Sequence, residues 1–411
     1  MPTEPTRELP VHPDLRQLKN QAKDLLKDWR AGNAKTLAEV QLHLPSPPTE
    51  PKLTDAQLVL ARAYGVRSWP RLVTACHVVD AIWNGDLAKL RELVVQNPKL
   101  LQESALGRPQ SNWGPPLSYA ATAGQTAVVA MLTSLGAADI QYAFNRACLK
   151  GNLTIARRLL HSGATLSPGL VMGPCETLNG TGLRFLLELG ASVEDEHGDT
   201  IAPVGLVLQT YTRHAAGKHE CLELLADRGV ELPDTPPMAL HRGRLDLLQR
   251  HLDMDPQLFR RTFRHEEMFP ANLGCHEDHT YALHGTPLAG GTLLHMAVDY
   301  DEFDILAWML EEGADPNAKA DVDGAGFGGH TPLFGCVVSQ PYRANVRGHE
   351  RFAGLLLQHG AKTDIRANLR KALRFVRDES EHQYFSVTPR EWGEQFHDQD
   401  WVNPAVMRML A

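Results

Sequence analysis

The sequence predicts an all-α fold: a solenoid of stacked helical hairpins joined by short β-hairpin-like finger loops, with a helical cap before it. Two observations predict it. The dipeptide Gly-Ala recurs at Gly136-Ala137, Gly163-Ala164, Gly190-Ala191, Gly313-Ala314 and Gly360-Ala361, with Gly229-Val230 as a variant. Each follows an apolar run, at 129–132, 156–160, 183–187, 305–310, 352–357 and, for the variant, 221–225. A glycine just past a helix takes the left-handed conformation that closes its last turn. The second observation is the spacing: successive glycines lie 27, 27, 39, 84 and 47 positions apart, one unit with deletions and insertions.

Composition sets the outer bounds. The chain has 411 residues, 43% of them hydrophobic, enough for a sizeable core. That length allows two to four domains of roughly 100–200 residues or one elongated array, and the repeat selects the array. Forty-nine acidic against 41 basic side chains leave a formal charge of −8, which argues against a dedicated nucleic-acid binder. Residues 1–22 lack the apolar stretch of a signal peptide, and no run of about 18 apolar residues suits a membrane helix. A soluble, cytoplasmic protein is expected, with no membrane partner. Cys76, Cys148, Cys175, Cys221, Cys275 and Cys336 form no C-x-x-C pair and read as free, buried thiols.

Residues 1–75 read as a separate helical block. Leu15, Leu18, Ala22, Leu25 and Leu26 recur at helical spacing, as do Leu58, Ala61 and Tyr64. Thr54 or Asp55 is positioned to cap the later helix and Gly65 to end it. The Pro-rich stretch 45–51 between them is a stiff loop. The block's role is to close the apolar face of the first repeat.

The array is assigned to 76–367, with about eight units. Its clearest unit runs Gly291-Thr292-Leu293-Leu294-His295-Met296-Ala297 and on to Gly313-Ala314-Asp315-Pro316-Asn317. From Thr292 to Gly313 is 21 positions, as is Pro115 to Gly136; Thr331 to Gly360 and Thr200 to Gly229 are 29, eight longer. The unit resembles the ankyrin repeat, with its G-x-T-P-L-H-x-A opening and L-L-x-x-G-A-D close. The resemblance implies a stack of helix pairs in which each hairpin buries its apolar face only against neighbours. His295 then reads as structural, bonding its own Thr292 or a neighbouring backbone. The block before the array resembles a leader found before bacterial ankyrin arrays, which brings no assigned chemistry.

An insertion at 259–290 interrupts the register. It holds His265, Glu266, Glu267, Cys275, His276, Glu277, Asp278, His279 and His284. Cys275, His279 and His284 are zinc-ligand types, so a metal or small-molecule site is the alternative functional reading. The spacing fits neither C-x-x-C nor H-E-x-x-H, and a polar surface loop is the expectation. Gly324, Gly326 and Gly329 spell a formal G-x-G-x-x-G, but no βαβ pattern surrounds them, and a finger loop is expected instead.

The last segment, 368–411, reads as a capping repeat. Thr388-Pro389 reopens a unit and 404–410 supplies its second helix. Just before it, Arg366, Arg370, Lys371, Arg374 and Arg377 are expected to share one solvated helical face.

No nucleophile elbow, P-loop or kinase motif occurs, so no catalytic residue, cofactor or metal is assigned. Ankyrin-like stacks present a concave surface of fingers and first helices. The expected function is a scaffold holding a protein partner there. Expected contacts are the finger residues Asn112, Trp113, Asp139, Gln141, His197, Asp199, Phe327 and His330.

Overall fold

The computed structural model describes residues 5–109, 111–276, 283–376 and 378–411. It divides into two compact units, Met1–Thr165 and Leu166–Ala411. Among the described residues, no helix is long and apolar enough to cross a membrane.

The first unit opens with three helices, α1 (Leu15–Arg30), α2 (Ala34–His43) and α3 (Leu53–Ala63). Asp14 caps α1 by accepting from Gln17 N at 2.9 Å. Asp55 works from inside α3, accepting from Lys52 N at 2.8 Å. The helices bury Leu25, Trp29, Val40, Ala56 and Val59 against one another. Ser68 then starts α4 (Trp69–Trp83), with Pro70 in its first turn, where a missing donor is harmless. The position 75/76 expected to part the helical block from the array lies inside this helix. The unit continues through α5 (Leu87–Gln96), α6 (Pro116–Thr122), α7 (Thr126–Ser134), α8 (Ile140–Leu149) and α9 (Leu153–His161). First helices pack on first helices (α4 on α6, α6 on α8) and second on second (α5 on α7, α7 on α9).

The second unit begins with α10 (Met172–Glu176), α11 (Gly180–Glu188), α12 (Ala202–Gln209) and α13 (Ala215–Ala226). Next come α14 (Pro236–His241), α15 (Leu245–Met254), α16 (His265–Met268), α17 (Leu293–Asp299) and α18 (Phe303–Glu311). Then follow α19 (Pro332–Val337), α20 (Gln340–Arg343), α21 (Arg351–Gln358), strands β1 (Ala367–Lys371) and β2 (His382–Val387), α22 (Pro389–Gln395) and α23 (Pro404–Met409).

Helix ends form as the Gly-Ala pattern implies. Gly313 sits at φ +91°. Its N–H donates to Leu310 O, and Ala314 N reaches back to Met309 O at 2.9 Å, satisfying carbonyls the last turn leaves open. All six cysteines are buried and outside any disulfide, and burial pushes the thiols of Cys76, Cys148 and Cys221 up to about 12.

Two expectations fail. The insertion is not a polar surface loop: Phe259, Phe263, Met268, Phe269, Leu273 and Leu288 are buried. It is tied to α17 by a backbone pair in which Phe263 N donates to Gly291 O at 2.8 Å and Gly290 N to Phe263 O at 2.9 Å. The basic helical face is absent as well. Residues 367–371 form β1, antiparallel to β2, with Ala367, Leu369 and Lys371 buried in alternation. Pairing with β2 and with Gly328 of the preceding finger, whose N–H donates to Asn368 O at 2.7 Å, overrides the i,i+4 arginine spacing. Arg377 lies outside the described residues.

Candidate partner-binding site

The finger between α18 and α19 is a true hairpin. Asp323 shapes its tip: its carboxylate accepts from Ala325 N at 2.9 Å and Phe327 N at 3.0 Å, while its own N–H donates to Phe327 O at 2.8 Å. Gly328 lies at φ +127°, and a Cβ there would fall 1.9 Å from Asp321 O, so only glycine lets the strands close. The formal G-x-G-x-x-G is thus turn chemistry.

This hairpin carries an apolar patch. Phe327 packs on Phe385 of β2 at 5.5 Å between ring centroids, and the Arg370 guanidinium lies 5.0 Å from the Phe327 ring. Val322 remains 61% and Phe385 63% exposed. Arg370 also bonds Asp323 at 2.7 Å, holding β1 against the finger. Beside the patch runs a groove of about 370 Å³, whose walls include Arg264, Asp321, Asp323, Phe327, His330 and Arg370. Its rim is charged with both signs, and its floor is set by a histidine relay. Thr292 N donates to His295 Nδ1 at 3.1 Å, so His295 carries its proton on Nε2 and donates to His330 O at 3.1 Å. His330 donates in turn from Nε2 to Pro287 O at 2.9 Å. Burial holds both imidazoles neutral, His295 down at about 3 and His330 at about 4.

Below the insertion lies a buried ionic cluster. Arg213, in the extra residues between α12 and α13, donates to the Thr210 carbonyl at 2.6 Å, to Leu283 O at 2.8 Å, and to Asp299 O and Oδ2, each at 2.8 Å. Its side chain is 1% exposed. Asp299 Oδ2 also accepts from His284 Nδ1 at 2.8 Å. Burial alone pushes the Asp299 carboxyl up, but Arg213 and His284 outweigh it and hold the group well below the usual carboxylate range. Lys218 Nζ pairs with Glu302 at 2.9 Å and sits 4.2 Å from the Tyr300 ring centroid. Both partners are buried, so the two charges neutralise each other inside the unit. With its charges matched and its donors mostly committed, the cluster works as a brace for the insertion.

The expected contact residues divide accordingly. Phe327 and His330 meet at one groove, where His330 is buried and donates to the Pro287 carbonyl. Asp139 accepts from the Ser118 N–H and hydroxyl, locking a finger to α6. Gln141 bridges repeats, accepting from Thr165 N at 2.9 Å and donating to Thr165 O at 3.1 Å. Trp113 is half-buried, 4.8 Å from the Tyr119 ring. Asn112 is exposed, with its carbonyl taken by Tyr142 Oη at 2.8 Å. His197 and Asp199 stand exposed on a turn organised by Asp195. Asp199 lines a separate cavity with Tyr211 and Arg374. Val322, Phe385 and Arg370 were not among the expected contacts: Arg370 and Phe385 sit on β1 and β2, and the adjacent Tyr384 and Phe385 break the period-2 pattern that would announce the second strand.

For the metal alternative, His284 is engaged by Asp299, and Cys275 is buried. Among the described residues, no group of three or more His, Cys, Asp or Glu side chains is placed to hold an ion. Glu277, Asp278 and His279 lie outside them.

The family model described as the ankyrin repeat matches residues 289–321. No curated protein matches the chain. Among solved structures, the chain is similar to the human ASB11 ankyrin repeat domain, at 18% identity over 71% of this chain and 96% of that one, with a TM-score of 0.27. It is also similar to an ankyrin repeat domain from Acinetobacter baumannii AYE, at 19% identity over 43% of this chain and 96% of that one, with a TM-score of 0.30. The matched segment, which contains the Thr292–His295 lock and the Gly313-Ala314 helix end described above, is similar to one ankyrin repeat.

Proposed function

We propose that the protein is a non-catalytic scaffold of the cytoplasm that holds a protein partner on the finger face bearing Val322, Phe327 and Phe385. Ankyrin repeats as a class are protein–protein interaction modules. The observation that carries the reading is the exposed apolar and aromatic patch, rimmed by Arg370, Arg264, Asp321 and Asp323, on a hairpin braced from beneath. Such patches with a charged rim mark association sites. Asn112, Trp113, His197 and Asp199 are secondary contacts in the same reading. Six cysteines with no disulfide among them favour a reducing compartment.

The test begins with a partner recovered by affinity purification of the wild-type chain, followed by affinity measurement with purified components. Phe385→Ser combined with Val322→Ser weakens binding at least about tenfold, or about 1.4 kcal/mol. Met254→Ser, at an exposed helix end away from the hairpin, leaves it unchanged. Equal affinities for both variants would overturn the assignment of this face.

A further inference from the structure

The first unit contains a cavity of about 730 Å³, a size typical of small-molecule sites. Its walls combine Leu42, Pro45 and Val66 with four arginines, Arg62, Arg67, Arg71 and Arg108. The one acidic side chain among them is Glu103, so the lining carries a formal excess of three positive charges.

Arg71 is the centre of this arrangement. Its side chain is only 10% exposed, and Nη2 is committed to Ser104 O at 2.9 Å and Glu103 at 3.1 Å. Its Nη1 is buried with no hydrogen-bond partner among the described residues, and so are Arg108 Nε and Ser104 Oγ. Three orphaned donors on one cavity wall are unusual, because a buried donor without a partner costs about 1–3 kcal/mol. Arg67 adds like-charge repulsion: burial first, then Arg67, lowers the proton affinity of Arg71 against the opposing pull of Glu103. Arg62 differs, since its Nη1 already donates to His43 O at 2.8 Å.

We infer that this cavity is a binding site for a small organic phosphate monoester, its phosphoryl oxygens taken by Arg71, Arg108 and Ser104 and its apolar body lying against Leu42, Pro45 and Val66. A phosphate monoester carries a charge of about −1.5 to −2 and three acceptor oxygens. Its three acceptor oxygens match the three unspent donors, and its charge offsets about half or more of the excess on the lining. A carboxylate brings one negative charge and suits a single arginine fork. The site lies wholly within the first unit and stands or falls separately from the finger-face reading.

The experiment is calorimetric titration of the full chain with phenyl phosphate, inorganic phosphate and phenylacetate at low ionic strength. Phenyl phosphate binds saturably at one site, at least tenfold tighter than either of the others. Arg108→Gln weakens it at least tenfold, and Arg71→Lys weakens it while keeping a positive charge. Arg108→Gln retains the wild-type melting temperature without ligand, separating binding from folding, since Arg108 Nε holds nothing in place. No saturable binding of phenyl phosphate, or binding unchanged in Arg108→Gln, would overturn the site. Equal affinity for inorganic phosphate would overturn the organic ligand and assign the pocket to the free ion.

Discussion

Acidification strikes the relay beneath the finger groove. His295 and His330 are fully buried and neutral, with folded-state values of about 3 and about 4. Unfolded, each titrates near 6.5. The folded protein therefore binds fewer protons than the unfolded one between those limits, and stability falls as pH drops below about 6.5. From pH 7 to pH 5 each histidine removes about 2 kcal/mol, and the two together about 4. His241 and His284, lowered chiefly by burial, act in the same direction. Against a typical total of about 5–15 kcal/mol, that loss is a substantial fraction of the stability. The local reason is explicit: protonating His295 Nδ1 turns an acceptor into a donor facing Thr292 N–H. Urea unfolding followed by circular dichroism at pH 7, 6, 5.5 and 5 measures the slope. His330→Gln reduces that slope by about one proton, or about 1.4 kcal/mol per pH unit. Constant stability between pH 7 and 5, or a folded-state His295 resonance titrating near 6.5, would refute the reasoning.

Three further outcomes follow from packing. Arg213→Ala leaves Asp299 charged and buried, and costs about 3–5 kcal/mol in thermal or urea denaturation, while Arg244→Ala at an exposed pair changes stability by less than about 1 kcal/mol. Gly205→Ala places a Cβ 2.1 Å from Gly274 O, so α12 and the insertion must separate at a cost of about 1–3 kcal/mol. Gly324→Ala, with nothing within 4 Å, stays near wild type in the same melt. Trp113→Ala lowers the melting temperature, since it removes a ring packed on Tyr119 at about 2 kcal/mol. Its loss of binding must therefore be scored against the folded fraction.

Local signals were legible wherever one residue determines one geometry. Glycine after an apolar run meant a left-handed helix end, Thr292 three residues before His295 meant a cap, and isolated cysteines meant buried thiols. Features made by distant segments were not legible. Phe259, Phe263, Met268 and Phe269 follow neither a helical nor a strand period, so the histidines and glutamates around them dominate the composition and hide a buried lobe. Arg213 finds Asp299, 86 positions away, through a brace that spacing cannot reveal. At 366–374 the arginines imitate a helical face, while the partners that make it a strand lie in β2 and in the Gly328 finger. The candidate face depends on that strand, which is why Phe327 was legible in the sequence and Phe385 was not.

Site-specific photo-crosslinking tests the central claim most directly. A photoreactive amino acid is placed at 385 and at 322 on the finger face, and at 254 on the exposed end of α15. The account predicts that positions 385 and 322 trap the same partner and position 254 traps none. Capture from 254 alone, or equal capture from all three positions, would contradict it.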